Sequence, residues 1–134
     1  MMGIVNVTPD SFSDGAELET ATAAVQKALE MARAGVNIID IGGESSRPGA
    51  EHVTEEEELR RVLPVIRGIR EKSDVAISID TTKAEVARQA VNEGANVVND
   101  ISAGLNDDMM LAVVAKLRVP VRPFVLEIIL QTLW

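Results

Sequence analysis

Residues 36–50 read VNIIDIGGESSRPGA: an apolar run from Val36 to Ile41 interrupted only by Asn37 and Asp40, then a loop of glycines, serines, an arginine and a proline. A short run of this kind, rich in Ile and closed by glycines, is the pattern of a strand covered on both faces. The segment that follows has a different period. Thr54-x-x-Glu57 has the form of a capping box, and Leu59, Val62, Leu63, Ile66 and Ile69 recur at helical spacing behind it, with Pro64 expected to bend the helix mildly. Strand, polar loop, helix is one βα unit. The same succession lies on either side of it. Gly3–Val7 is a strand, and Val25, Ala28, Leu29 and Ala32 mark the helix behind it, closed by Gly35 as the C′ residue. Val75–Ile79 is a third strand, followed by a helix from Thr82-x-x-Glu85 to Gly94. Asn96–Asn99 is the fourth, with a helix on Met110, Val113, Val114 and Leu117, and a fifth strand opens at Val119.

Repeated βα units specify a parallel sheet in an α/β fold. No linker or low-complexity stretch divides them, so one domain is the simplest count. The closure of the sheet stays open at this point. An eight-stranded barrel needs about 250 residues, roughly twice what is present, whereas an open doubly wound sheet fits the length.

Composition agrees with this class. The 134 residues are 46% hydrophobic but only 2% aromatic, without Tyr, so core volume comes from Ala, Val, Ile and Leu. A net charge of −8 disfavours attraction to nucleic acid or an anionic membrane surface, while leaving local phosphate binding open. There is no Cys, hence no disulfide or thiolate metal site. No run is apolar enough to span a bilayer, and the first residues lack a signal pattern, so a cytoplasmic location is expected.

In parallel α/β folds, ligands bind where the strands' C-terminal ends meet the βα loops. Polar residues collect there: Asn6 ends strand one, Asp40 strand two, Asp80 strand three, and the pair Asn99-Asp100 strand four. One such residue is most simply a helix cap. Four on consecutive strands point to a site. Two loops add to it. Residues 6–15, NVTPDSFSDG, form a long polar loop suited to a lid. Residues 42–49, GGESSRPG, combine glycines, whose amides can close on an anion, with an Arg that can grip a phosphate through two parallel hydrogen bonds. Other candidates have plainer readings. His52 is an exposed loop histidine, Glu55–Glu58 are acids favoured in a helix's first turn, and Met109 and Met110 straddle the last helix as rim and core.

Taken together, MGIVNVTPDSFSDG at 2–15, IIDIGGESSRPGA at 38–50, ISIDT at 77–81 and NVVNDISAG at 96–104 resemble the dihydropteroate synthase family in content, order and spacing. The resemblance implies a TIM (β/α)8 barrel, of which this chain supplies about four βα units and the start of strand five. It further implies an enzyme of folate biosynthesis, a transferase joining 6-hydroxymethyl-7,8-dihydropterin pyrophosphate to p-aminobenzoate with release of pyrophosphate, with Mg2+ as cofactor. By the same resemblance Asp80, Asn99 and Asp40 bind the pterin, and Phe12, Ser46 and Pro48 border the p-aminobenzoate. Asn6 lies by the magnesium and the pyrophosphate, Arg47 contacts the pyrophosphate, and Asp14 on the first loop stabilises charge developing on the pterin methylene. Asp14 and Arg47 are thus the expected catalytic residues. The intact family implies a homodimer.

Two positions depart from the family pattern: Ser46 stands where Thr is usual, and Ala16 where a second Gly is usual. The resemblance runs to about residue 121. From Arg122 to Trp134 the chain reads as an apolar tail without family motifs, the expected product of a truncated or frameshifted gene, and such a chain is expected to be inactive alone. The alternatives are a related pterin-binding methyltransferase, which has no use for a pyrophosphate loop, and an inactive fragment that associates with itself through unpaired strand edges.

Overall fold

The computed structural model describes residues 1–8, 17–44, 52–102 and 104–118. In chain order they form β1 (Met2–Asn6), α1 (Glu17–Arg33), β2 (Ile38–Gly42), α2 (Glu55–Arg70), β3 (Ala76–Asp80), α3 (Ala84–Glu93), β4 (Val97–Asn99) and α4 (Met110–Leu117). Every strand and helix expected before residue 118 is present. The expected fifth strand at Val119 and the tail from Arg122 lie outside the described residues.

All strand pairs are parallel, and the sheet order is β1-β2-β3-β4. A doubly wound sheet turns back past its first strand, whereas unbroken sequential order is that of a barrel wall. The four units are therefore consecutive staves of a (β/α)8 barrel.

Alternation along the strands separates the two faces. Val5, Ile39, Ile41, Ile77, Ile79 and Val98 are fully buried beneath the helices, against Ala24, Ala28, Val62, Ile66, Ile69, Val86, Ala87 and Ala90. The opposite face carries Ile4, Asn6, Asp40, Gly42, Ser78, Asp80 and Asn99. Small residues let the helices come close. A Cβ built on Gly68 of α2 would lie 2.6 Å from Val25 Cγ2 of α1, so only glycine admits that approach.

The caps divide between agreement and correction. Thr54 caps α2 as expected, its hydroxyl accepting from the Glu57 amide at 3.1 Å, while the Glu57 carboxylate pairs with Arg60 and Arg61. The helix runs unbroken through Pro64. The capping box expected at Thr82 does not form. Lys83 is the N-cap, the first free amide, Ala84 N–H, is taken by Asp107 Oδ2 at 2.7 Å, and the Thr82 hydroxyl accepts from Asn106. A carboxylate from the loop ahead of α4 thus does what a local hydroxyl was expected to do, and ties α3 to α4 in doing so.

At the opposite end from the βα loops, Arg70 pins the starts of β3 and β4. Its Nε and Nη2 donate to Gly94 O at 3.0 and 2.9 Å, Nη1 to Val75 O, and Nη2 to Asn96 Oδ1 at 2.7 Å, an oxygen that also accepts from Ile77 N–H. Gly94 lies at φ +126°, and a Cβ there would sit 2.8 Å from Arg70 Cγ. The planar fork reaches partners on two strands at once, which a lysine ammonium cannot do. Arg70→Ala should therefore cost roughly 2–3 kcal/mol in chemical denaturation, and Arg70→Lys should recover less than half of it; a lysine variant as stable as the parent would refute the fork argument.

Candidate functional site

The register lines up one row across the C-terminal edge: Asn6 opposite Gly42, Gly42 opposite Asp80, Asp80 opposite Asn99. Gly42 contributes no side chain, and the side chains of Asp80 and Asn6 close on its place in the row. A Cβ there would lie 3.3 Å from Asp80 Oδ2 and 3.7 Å from Asn6 Oδ1. Asp40 does not end its strand as expected. Val7 N–H donates to Gly42 O at 2.6 Å, which carries the pairing two residues further and leaves Asp40 one row deeper, opposite Ile4 and Ser78.

That deeper row supports the upper one. Asp40 is 4% exposed and accepts from the Ser78 hydroxyl and, at 3.3 Å, from Asn99 Nδ2. Burial pushes its carboxyl above the ordinary range, against the pull of those two hydrogen bonds. Asn99 is itself buried, and its Oδ1 has no hydrogen-bond partner. Asp80 is pushed up to about 7, first by burial and then by the negative charges of Asp40, Glu58, Asp100 and Glu44. The upper row thus offers two adjacent acceptors, one an unsatisfied amide oxygen and the other a carboxyl that changes charge near neutral pH.

Asp100 has a different task. Its Oδ1 accepts from Ser102 N and Oγ at 2.8 and 2.7 Å, and its Oδ2 from Gly104 N at 2.9 Å, so the carboxylate folds its own loop as the plain capping reading held. Phe12, Asp14, Ser46, Arg47 and Pro48 lie outside the described residues.

One ionic cluster at this edge is not visible from the sequence. Glu58, which reads there as an ordinary first-turn acid, is 1% exposed, accepts from Lys83 Nζ at 2.7 Å and takes the Thr81 hydroxyl. Lys83 also reaches Glu44 at 3.3 Å, whose second oxygen accepts from Val53 N–H at 2.7 Å. Glu44 thereby ties together the two ends of the 45–51 segment. Burial lowers the Lys83 pKa, but the hydrogen bonds and charges of Glu58 and Glu44 outweigh it and the net shift is upward. The signal that could have found it is spacing, since Glu58 stands on the same stripe as Val62, Ile66 and Ile69.

Residues 2–126 match the family described as pterin binding enzyme, a match that runs past the boundary expected near 121. A dihydropteroate synthase of Synechocystis is 52% identical over 121 residues, which are 90% of this chain and 42% of that protein. Among solved structures, a Clostridium difficile dihydropteroate synthase, determined in the presence of pteroic acid, superposes with a TM-score of 0.86 at 48% identity, over 90% of this chain and 46% of that one. A Xanthomonas albilineans dihydropteroate synthase with 4-aminobenzoic acid gives 0.84 at 53%, over 90% and 44%. The chain spans less than half the length of these relatives.

Two outcomes test the electrostatics. Lys83→Met leaves Glu58 buried without a counter-charge and should cost roughly 2–3 kcal/mol, below the ~3–5 kcal/mol of a fully enclosed pair, because Lys83 keeps 23% of its side-chain surface. Pairing it with Glu58→Gln should restore much of the loss in urea unfolding. For Asp80, a folded pKa near 7 against 3.8 for an unperturbed aspartate means that its proton favours folding below about pH 4, an advantage lost as pH rises through 7. Asp80→Asn should therefore raise the melting temperature at pH 8 and leave it nearly unchanged at pH 4, and equal shifts at both would contradict the raised pKa.

Proposed function

The chain belongs to the pterin binding enzyme family, and from that premise we propose that it forms the pterin-binding half of a dihydropteroate synthase. The observation that carries this reading is the pair of adjacent acceptors in the upper row, the Asp80 carboxylate and the unsatisfied Asn99 Oδ1. A buried acceptor without a partner calls for a ligand that brings N–H groups. The amino-pyrimidine edge of a dihydropterin carries them side by side. A ligand that donates to Asp80 favours the ionised form, so binding expels the proton that burial holds there.

The remaining roles follow the motifs. Asn6 stands across Gly42 from Asp80, where its amide NH2 could donate to the pyrophosphate end of the same ligand and its oxygen could ligate the magnesium. Magnesium would be held here mainly by phosphate oxygens and water, with Asn6 as a neutral oxygen ligand. Bound there, it would neutralise charge on the leaving group. Arg47 would grip the pyrophosphate, Phe12, Ser46 and Pro48 would hold the p-aminobenzoate, and Asp14 would favour positive charge on the pterin methylene. The arylamine nitrogen attacks that methylene, the C–O bond to pyrophosphate breaks, and the nitrogen gives up one proton. No protein nucleophile takes part, so the rate comes from holding the two substrates in line. A homodimer of the complete enzyme belongs to the same proposal.

Calorimetric titration with 6-hydroxymethyl-7,8-dihydropterin pyrophosphate tests it. Affinity should rise between pH 5.5 and 7.5 as Asp80 ionises, and Asp80→Ala or Asn99→Ala should each weaken binding about tenfold or more. Heat no greater than dilution, or an Asp80→Ala variant that binds as the parent does, would refute the assignment.

A further inference from the structure

We propose that Asp40 is a positioning residue that locks the Asn99 amide with its NH2 inward and its carbonyl oxygen toward the ligand. The identity of that ligand rests on the pterin reading; the lock does not. Asp40 lies one row beneath Asn99, where its Oδ1 accepts from both the Ser78 hydroxyl and Asn99 Nδ2. An ionised carboxylate has no hydrogen to give, so it admits the NH2 of the amide and repels its oxygen. Turning Asn99 over would press two oxygens together in a buried place, where little water is at hand to relieve them.

The lock has a consequence one row up. With one Nδ2 hydrogen given to Asp40 the amide cannot turn over, and Oδ1, buried without a partner among the described residues, is held in a set place. A side chain free to rotate would present a donor or an acceptor as the ligand required. A fixed one presents its acceptor at a set place. Since the register places Asp80 beside it, the site accepts twice along one edge and selects a ring with neighbouring N–H donors over its oxo counterpart. Asp40 then sets specificity without touching the ligand, and Ser78 keeps its oxygen aimed.

Direct contact between Asp40 and the ligand is the competing explanation, and two variants separate them. Asp40→Asn removes the charge but keeps an acceptor oxygen, which the Ser78 hydroxyl donates to and holds toward Asn99. Asp40→Leu has a similar shape and no acceptor. In the 15N-labelled chain, the Asn99 NH2 pair is assigned by its disappearance in Asn99→Ser. In the parent this pair should exchange with solvent about tenfold more slowly than that of exposed Asn92. Asp40→Asn should keep the slow exchange and bind 6-hydroxymethylpterin within about threefold of the parent, while Asp40→Leu should lose both, binding about tenfold more weakly. Free exchange of the Asn99 pair in the parent overturns the lock, however the variants fold. Equal loss of pterin binding in both variants with the slow exchange intact overturns it too, because Asp40 would then act on the ligand as a charge. Slow exchange that Asp40→Leu abolishes, in a chain that binds no pterin, supports the lock and removes the pterin reading.

Discussion

The whole arrangement depends on one constraint of the extended chain, that consecutive side chains on a strand point to opposite faces. Isoleucines at 39, 41, 77 and 79 bury one face of the sheet under the helices with nothing exposed. The same parity commits positions 40, 42, 78 and 80 to the other face. A slip of one residue in β2 or β3 would drive a carboxylate under the helices and an isoleucine into the site, so the hydrophobic core and the polar row fix each other's register. The site is the other face of the core and cannot move independently of it.

That coupling also explains the electrostatics. Parity places Asp40 and Asp80 on the same face, and the helix that covers the sheet brings Glu58 up beside them. These negative charges add to burial in raising the Asp80 pKa, and the fold answers in two ways. Lys83 pairs with both Glu58 and Glu44, offsetting one of their two charges, beside the point where the 45–51 segment begins and ends. Asp80 has no such partner among the described residues, and burial with the surrounding negative charge moves its titration to about 7. Stability and site chemistry pull apart at this residue: the proton that steadies the folded chain is the one a donor-bearing ligand has to displace.

How much of this was legible in the sequence follows from the range of each interaction. Strands and helices were readable because period 2 and period 3.6 are local, and α2 was fixed by Thr54 and its apolar stripe alone. The site's edge was legible because Asn6, Asp80 and Asn99 fall at strand ends. The failures are all contacts between distant positions. Thr82 looked like a cap, but Asp107 reaches Ala84 from the far side of α3. Glu58 looked like a solvated acid because its partner Lys83 stands 25 residues away. Asp40 looked like a strand end because the pairing that extends β2 to Gly42 comes from Val7.

The two ends of the sheet divide the work by the kind of cation they use. At the starts of β3 and β4, Arg70 meets backbone carbonyls, groups whose positions are set by the fold and whose charge never changes. A rigid fork suits a fixed target. At the C-terminal edge, Lys83 meets two carboxylates on different elements, one buried on α2 and one at the root of a loop. A single flexible ammonium can keep both while their separation changes, which a planar fork cannot. The arginine therefore serves fixed backbone targets on one side of the sheet, and the lysine joins two carboxylates from different elements on the other.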